Sequence, residues 1–339
     1  MTLETPRAAS GKDSSTRFGL ITTLVRVIIG AACLAAVLWS TDLEGLGRRL
    51  GSIRGGVAVM LLLTAVAGRV LMAGKWNLLL RSRGVLISTW QATRLYLIGH
   101  LLGSFTPGAL GADVYRVTAL RRFGRTREIV ATVLLERFVG LAVVGIVTAL
   151  GLPVSARYLG ADSTRMVSVI VISVSLMVVG VWASLSPSLV EGLARKVPFV
   201  SRLGVVGKIR DFYRSYAESR IHGGTLAAFT ALTVLEVLVT VLVVYLAGRS
   251  VGVDAPLGYL LCIVPLIQIL LRLPVSFQGI GVQEGLYAFF LAKVGFSPSD
   301  GLSISLMLRL TEIVGIVLPA SLLLWKGPAL LSPPVSRVE

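Results

Sequence analysis

Six apolar stretches, each about as long as the hydrocarbon core of a bilayer demands, constrain this chain more than any other feature. They are Leu20–Trp39, Val57–Leu80, Ile129–Leu150, Met166–Leu185, Thr225–Ala247 and Leu302–Trp325. In lipid every backbone N–H and C=O must be satisfied within its own segment, so these stretches read as transmembrane helices. Two more apolar regions, Trp90 to about Leu120 and Leu257 to Val294, are broken by glycine and proline. The composition agrees. Apolar residues make up 55% of the chain, charged residues only 15%, and mean hydropathy is +0.84. A soluble domain carries about 25% charged residues, and a disordered chain is far less hydrophobic.

Several function classes drop out. The net charge of +16 needs no nucleic acid to explain it, because Lys and Arg gather where a membrane meets the anionic cytoplasmic leaflet. Cys33 and Cys262 both lie in apolar runs and read as small buried hydrophobes. His100 and His222 are the only histidines, with no zinc-ligand spacing around them, so no metal or other cofactor is expected. No Gly-x-x-x-x-Gly-Lys-Ser/Thr motif marks an ATP motor. Arg7, Lys12 and Arg17 precede the first apolar run, which is longer than a signal-peptide core. It is read as a retained helix, with a cleaved signal as the alternative.

The positive-inside rule orients the chain. With a cytoplasmic N-terminus and broken regions that do not cross, eight arginines between residues 81 and 127 lie inside. Seven Lys and Arg between 186 and 223 join them, while the outer loops hold only six. Full crossing by Trp90–Phe105 would strand Arg121, Arg122, Arg125 and Arg127 outside. A re-entrant hairpin fits better, since irregular backbone is tolerated where protein or a wet cavity surrounds it. Between the fourth and fifth spans, Val205–Arg220 mixes apolar and basic residues and reads as an interfacial amphipathic helix or a solvated connector.

Two parts of the chain share one plan. Span 57–80, broken region 90–120 and span 129–150 form the first unit; 225–247, 257–294 and 302–325 form the second. Ser104-Phe-Thr-Pro-Gly-Ala-Leu-Gly-Ala-Asp113 echoes Pro274-Val-Ser-Phe-Gln-Gly-Ile-Gly-Val-Gln-Glu284, and Leu134-Leu-Glu-Arg137 echoes Leu306-Met-Leu-Arg309. The topology turns one unit upside down relative to the other. Inverted repeats with interrupted helices at matching positions are the best sequence pointer to a transporter's substrate site. The expected fold is therefore all-α and polytopic, with six full spans and two opposed re-entrant hairpins. A cytoplasmic tail over 1–19 precedes one membrane domain over 20–325. Its repeats, about 57–150 and 225–325, are joined by 151–224, and a second cytoplasmic tail covers 326–339.

Charges inside the spans carry the chemistry. Arg69, Glu136, Arg137, Glu236, Arg309 and Glu312 lie within apolar helices, where each charge costs about 2.5–3.5 kcal/mol on insertion scales. Such residues must face the bundle interior and meet a partner or a ligand. Arg309 and Glu312 are one turn apart and can pair, while Glu236 looks to Arg69 or Arg309. A purely structural ion-pair network is the rival reading. Lys75, Arg272 and Lys293 are placed nearer membrane edges, where long side chains snorkel. His100 reads as a hydrogen-bonded packing residue rather than a proton relay. Trp39, Trp90 and Trp325 fit an aromatic belt at span ends.

The broken regions supply the rest of the candidate site. Pro107 ends a helix, while Gly108 and Gly111 permit close backbone approach. Asp113 stands where it can cap the next helix, and Arg116 follows one turn later. Pro274, Gly279, Gly281 and Glu284 repeat the arrangement. Freed N–H groups at such helix starts bind anions. A kink that only packs is the alternative at each glycine and proline.

At Phe105-Thr-Pro-Gly-Ala-Leu-Gly-Ala-Asp-Val-Tyr-Arg116, Leu134-Leu-Glu-Arg-Phe138 and Leu273-Pro-Val-Ser-Phe-Gln-Gly-Ile-Gly-Val-Gln-Glu284 the chain resembles the lysylphosphatidylglycerol synthase transmembrane-region family, also called flippase-like. The likeness covers roughly residues 20–325. Ala109 and Ala112 stand where the pattern usually has glycine, and Phe277-Gln278 replaces a small position. The resemblance implies a bacterial or archaeal cytoplasmic-membrane protein that moves a lipid between leaflets, without the soluble synthase domain. The expected ligand is an anionic phospholipid or a polyprenyl-linked lipid. Arg116, Arg137 and Arg309 would hold its phosphate, and Asp113, Glu136, Glu236, Glu284 and Glu312 would balance charge. No catalytic residue is assigned. The rival classes are a membrane-embedded enzyme and an accessory partner of a lipid synthase or glycosyltransferase. A homo-oligomer is compatible with all three.

Overall fold

The computed structural model describes residues 53–104, 106, 110–159, 222–272, 276 and 279–325, with isolated helical positions at 44, 47, 51 and 168. The spans expected at Leu20–Trp39 and Met166–Leu185, the connector helix at Val205–Arg220 and both tails lie outside these residues. So do Cys33, Trp39, Pro107, Gly108, Ala109, Pro274 and Phe277-Gln278. All regular structure among the described residues is helical.

Nine α-helices follow in order among the described residues. They are α1 Gly55–Ser82, α2 Thr89–Ser104, α3 Leu110–Leu120, α4 Thr126–Leu159, α5 Gly223–Ser250, α6 Leu257–Leu271, α7 Val282–Ala292, α8 Pro298–Glu312 and α9 Leu318–Trp325. A π-helical turn, Ile313–Val317, joins α8 to α9. Four rods are long and apolar enough to cross a membrane: α1, the 126–154 part of α4, α5, and α8 through α9 to Leu323. These match four of the expected spans. At about 1.5 Å per residue α1 and α5 are each about 42 Å long, whereas α2, α3, α6 and α7 fall short of the roughly 30 Å hydrocarbon layer. The short helices occupy the two glycine- and proline-broken regions.

Helix lengths recur as 28, 16 and 11 residues for α1 to α3 and 28, 15 and 11 for α5 to α7. The turn after the first long helix recurs as well. Val85 N donates to Leu80 O at 2.9 Å and Val253 N to Gly248 O at 2.8 Å. Gly84 and Gly252 sit between them at φ 72° and 78°, a left-handed conformation that closes a helix C-terminus and favours glycine. Ser82 and Ser250 each return a hydroxyl to the carbonyl three residues back. Sequence matches geometry here: Arg81-Ser-Arg-Gly-Val85 stands against Arg249-Ser-Val-Gly-Val253.

α1 and α5 pack against each other antiparallel. Arg54 N donates to Ser250 O at one end, Gly68 faces Val239 at the middle, and Leu79 clusters with Phe229 at the other end. Each broken segment also leans on the other unit. α6 crosses α4 where Gly151 lies against Cys262 and Gly258 against Val154, small residues letting helix backbones approach as they do in membranes. α2 packs on the π turn and α9 through Leu97, Leu101, Ile316 and Ala320. The largest buried cluster gathers around α6, with Tyr259, Ile263, Val264 and Leu266 essentially inaccessible. Outside, α1 presents Val59, Met60, Leu63, Val66 and Val70, the apolar surface lipid requires. Trp90 and Trp325 are exposed at helix ends, as expected of an aromatic belt.

α7 and α8 are pressed together at Gly301, where a Cβ would stand 2.4 Å from Ala288 N and 2.5 Å from its Cα. Backbone cannot yield as a flexible side chain does. Gly301→Ala is therefore expected to destabilise the protein by about 1–3 kcal/mol through overpacking, read as a lower thermal midpoint of the detergent-purified protein. An unchanged midpoint would show that α7 is free to slide on α8.

Candidate functional site

The first charge cluster forms where α3 returns toward α4. α2 ends at Ser104 and Thr106 turns back, its N–H and hydroxyl both donating to Gly103 O at 3.0 Å. Its hydroxyl oxygen also accepts from Gly111 N at 2.8 Å and so starts α3. Ala112 then seats over Gly103, where a Cβ would lie 2.8 Å from that of Ala112. The family's usual glycine at 112 is thus answered by a glycine on the facing helix. Asp113 lies one residue on, in the first turn of α3. Arg116 Nη2 donates to Asp113 Oδ1 at 2.5 Å and its Nη1 to Glu136 Oε2 at 2.8 Å. Arg137 Nε donates to Asp113 Oδ2 at 2.6 Å, and Tyr96 OH to Glu136 Oε1 at 3.0 Å. The Arg116 guanidinium also lies 5.0 Å from the Trp76 ring centre and 4.8 Å from that of Tyr96. Arg116 and Glu136 are buried, whereas the Arg137 side chain is 40% exposed.

The second unit builds a simpler counterpart. Gly279 and Gly281 take φ 69° and 77°, and Gly281 N donates to Glu284 Oε2 at 2.7 Å across the first turn of α7. Glu284 Oε1 accepts from Arg309 Nε at 3.0 Å and from Ser305 Oγ at 3.1 Å. Gln283 Nε2 donates to the same serine at 3.0 Å. In both units, then, a carboxylate in the first turn after the break meets an arginine of the following long helix. The separations are 24 residues for Asp113–Arg137 and 25 for Glu284–Arg309.

Two further contacts tie the units together. Lys75 on α1 forms an ion pair with Glu236 on α5, 3.5 Å from Thr233 Oγ1 and 5.2 Å from the centre of the Phe229 ring. His100 Nε2 on α2 lies 3.0 Å from Glu312 Oε1, and Arg69 and Arg309 are within electrostatic reach of Glu312. Arg272, at the end of α6, is exposed, yet stands within electrostatic reach of Glu236, Arg137 and Glu136. Its side chain makes no hydrogen bond or ion pair with a described residue. Around the first cluster four cations (Lys75, Arg116, Arg137 and Arg272) therefore face three carboxylates, and the unmatched charge is a solvent-reached guanidinium among apolar helices.

Several sequence expectations need correction. Lys75 does not snorkel at an edge; it is buried and is the partner of Glu236, in place of Arg69 or Arg309. Arg69 instead turns to Met72 Sδ at 3.4 Å. Asp113 does not cap α3 but bridges two arginines, while Glu284 does cap α7. Gly111 is closed on its Cβ side, where Thr106 side-chain atoms stand 2.7 Å from the Cβ position, and its N–H is taken by the Thr106 hydroxyl. His100 is hydrogen bonded, as expected, but to a carboxylate inside the site. Lys293 fits its expected place, exposed at the end of α7 with its ammonium over Phe289. Trp76, Tyr96, Gln283 and Ser305 were not singled out from the sequence. A signal for the last two existed, since Gln283 adjoins Glu284 and Ser305 lies one turn before Arg309.

A search of curated proteins finds no match. The family model described as lysylphosphatidylglycerol synthase TM region matches residues 23–320. Four long apolar helices make the chain a multi-pass membrane protein, and the match over most of its length makes it a member of the lysylphosphatidylglycerol synthase TM region family.

Proposed function

We propose that this protein is a lipid translocase that carries an anionic phospholipid, or another lipid with a phosphate headgroup, between the leaflets of a bacterial or archaeal cytoplasmic membrane. The observation that carries the reading is the surplus cation at the first cluster. A charge inside a membrane protein is expensive unless paired or functional, and the Arg272 side chain is reached by solvent but left unpaired by the described residues. A phosphate fits it. Arg137, half exposed, and Arg309 extend the same phosphate path toward the second unit. Arg116 is already held between two carboxylates and two rings, so it positions Asp113 and Glu136 instead of contacting lipid. Glu236, Glu284 and Glu312 keep the path near neutrality, and Arg69 faces Glu312 from α1.

The repeated element lengths, the twin turns at Gly84 and Gly252 and the antiparallel packing of α1 on α5 support an inverted repeat. In this reading α2–α3 and α6–α7 are re-entrant hairpins from opposite leaflets within a single domain over 20–325 that has six full spans and cytoplasmic termini. Rocking one repeat against the other then exposes the charge path alternately.

The test is leaflet exchange in proteoliposomes with labelled phosphatidylglycerol, aminoacylated phosphatidylglycerol and a polyprenyl phosphate. Arg272→Gln and Arg137→Ala each remove a charge-assisted contact and should slow exchange of the true substrate about tenfold or more. Exchange unaffected by both substitutions removes the assigned path. Covalent conversion of the lipid identifies an enzyme, and silence with every lipid favours an accessory partner of a lipid-modifying enzyme.

A further inference from the structure

The first cluster is not the sole place where a cation lacks an anion. Arg94, on α2, is 5% exposed, its Nε is fully buried without an acceptor, and its guanidinium makes no hydrogen bond, ion pair or ring contact with a described residue. A guanidinium stays charged in proteins, and a buried charge without a partner is strongly unfavourable. An anion from outside the chain resolves the conflict.

Its position says which anion. α2 begins at a reciprocal cap, Ser88 N donating to Gln91 Oε1 at 2.9 Å and Gln91 N to Ser88 Oγ at 3.1 Å. Arg94 lies five residues beyond Thr89, about 7–8 Å along the helix axis. That matches the depth of the interfacial layer, about 5–7 Å on each side of the hydrocarbon. Trp90, one turn earlier on the same helix, is 60% exposed, like an interfacial anchor. Around this level Trp76, Leu80, Ile87, Leu95 and Leu120 form a buried apolar cluster, while Leu86, 65% exposed, joins Trp90 in presenting apolar surface outward. Tyr115, within electrostatic reach of Arg94, points back from α3. Beyond α3, Arg121, Arg122, Arg125 and Arg127 are all exposed and draw anions toward the same end of the hairpin.

We infer that Arg94 is a lipid-phosphate subsite at the base of the first hairpin, separate from the central charge path, where an anionic glycerophospholipid docks before translocation. The subsite rests on the translocase reading for its purpose but not for its binding. Binding is therefore the readout. The full-length protein in detergent is examined by native mass spectrometry with phosphatidylglycerol, with diacylglycerol, which lacks the phosphate, and with millimolar inorganic phosphate, which lacks the chains. Wild type is expected to retain phosphatidylglycerol over diacylglycerol by about tenfold or more, and Arg94→Gln to lose that preference. Arg94→Lys keeps the charge and should hold most of the preference, which guards against a merely unfolded variant. Displacement by inorganic phosphate alone overturns the lipid assignment in favour of a free-anion site. Equal retention by Arg94→Gln and wild type overturns the subsite, and so does equal loss in both Arg94 variants with lowered thermal midpoints. Preferential binding in wild type without leaflet exchange sinks the translocase reading and leaves the subsite standing.

Discussion

Arg116→Met should lower the thermal midpoint more than any other single substitution among the clustered charges. The guanidinium is buried, spans Asp113 and Glu136, and is sandwiched by Trp76 and Tyr96. Its removal leaves Glu136 inside the protein with the Tyr96 hydroxyl as its remaining hydrogen-bond partner among the described residues. Breaking one partner of a buried pair costs about 3–5 kcal/mol, a fall on the order of 10 °C in a chain of this size. Adding Glu136→Leu should recover much of the loss, since the orphaned carboxylate goes with it. A single variant that melts like wild type would mean water reaches Glu136 freely, and the buried description of this cluster would have to be abandoned.

The second large effect belongs to Lys75 and Glu236. Lys75→Met strands Glu236 between α1 and α5 and should likewise cost about 3–5 kcal/mol, whereas Lys75→Met with Glu236→Leu should return stability to within about 1–2 kcal/mol of wild type. The double variant separates two roles. If the pair only glues α1 to α5, the stable double variant exchanges lipid at the wild-type rate. If the pair belongs to the transport path, exchange falls at least about tenfold although the fold has recovered. Both outcomes are read in one proteoliposome assay alongside one melting curve.

Much of this was legible in the sequence because membranes impose simple rules. Length and hydropathy alone delimit α1, α4, α5 and α8–α9, and glycine with proline marks where α2 and α6 must stop. The two echoes at nearly equal spacing place Asp113 with Arg137 and Glu284 with Arg309 in matching positions, but they do not give the pairing: the sequence points Arg309 to Glu312 one turn on, and it donates to Glu284 instead. What stayed hidden depends on helix register. Lys75 meets Glu236 because Gly68 lets α1 approach α5 at Val239, and nothing in either segment alone fixes that crossing. Arg116 reads as a free phosphate ligand until Trp76 and Tyr96, distant in sequence, are seen to enclose it. Arg272 looks like an edge residue because its distance in sequence from Glu236, Arg137 and Glu136 hides that the fold brings it within electrostatic reach of them. One overlooked signal was in plain view: Arg81-Ser-Arg-Gly-Val85 and Arg249-Ser-Val-Gly-Val253 are 168 residues apart and mark the period of the repeat more sharply than the hairpins do.

That twin turn bears on how the chain enters the membrane during synthesis. Because α1 and α5 run antiparallel, the two copies lie at opposite ends of the helix pair, and under the proposed topology a translocon sorts near-identical pentapeptides to opposite compartments. Their difference is electrical. The copy at 81–85 carries two arginines, while in the copy at 249–253 valine replaces one and Asp254 holds Arg249 at 2.8 Å. Lys and Arg bias a segment toward the cytoplasmic side while acidic neighbours count for little, so the second arginine, Arg83, is the difference between the two copies that favours the cytoplasmic side for the first.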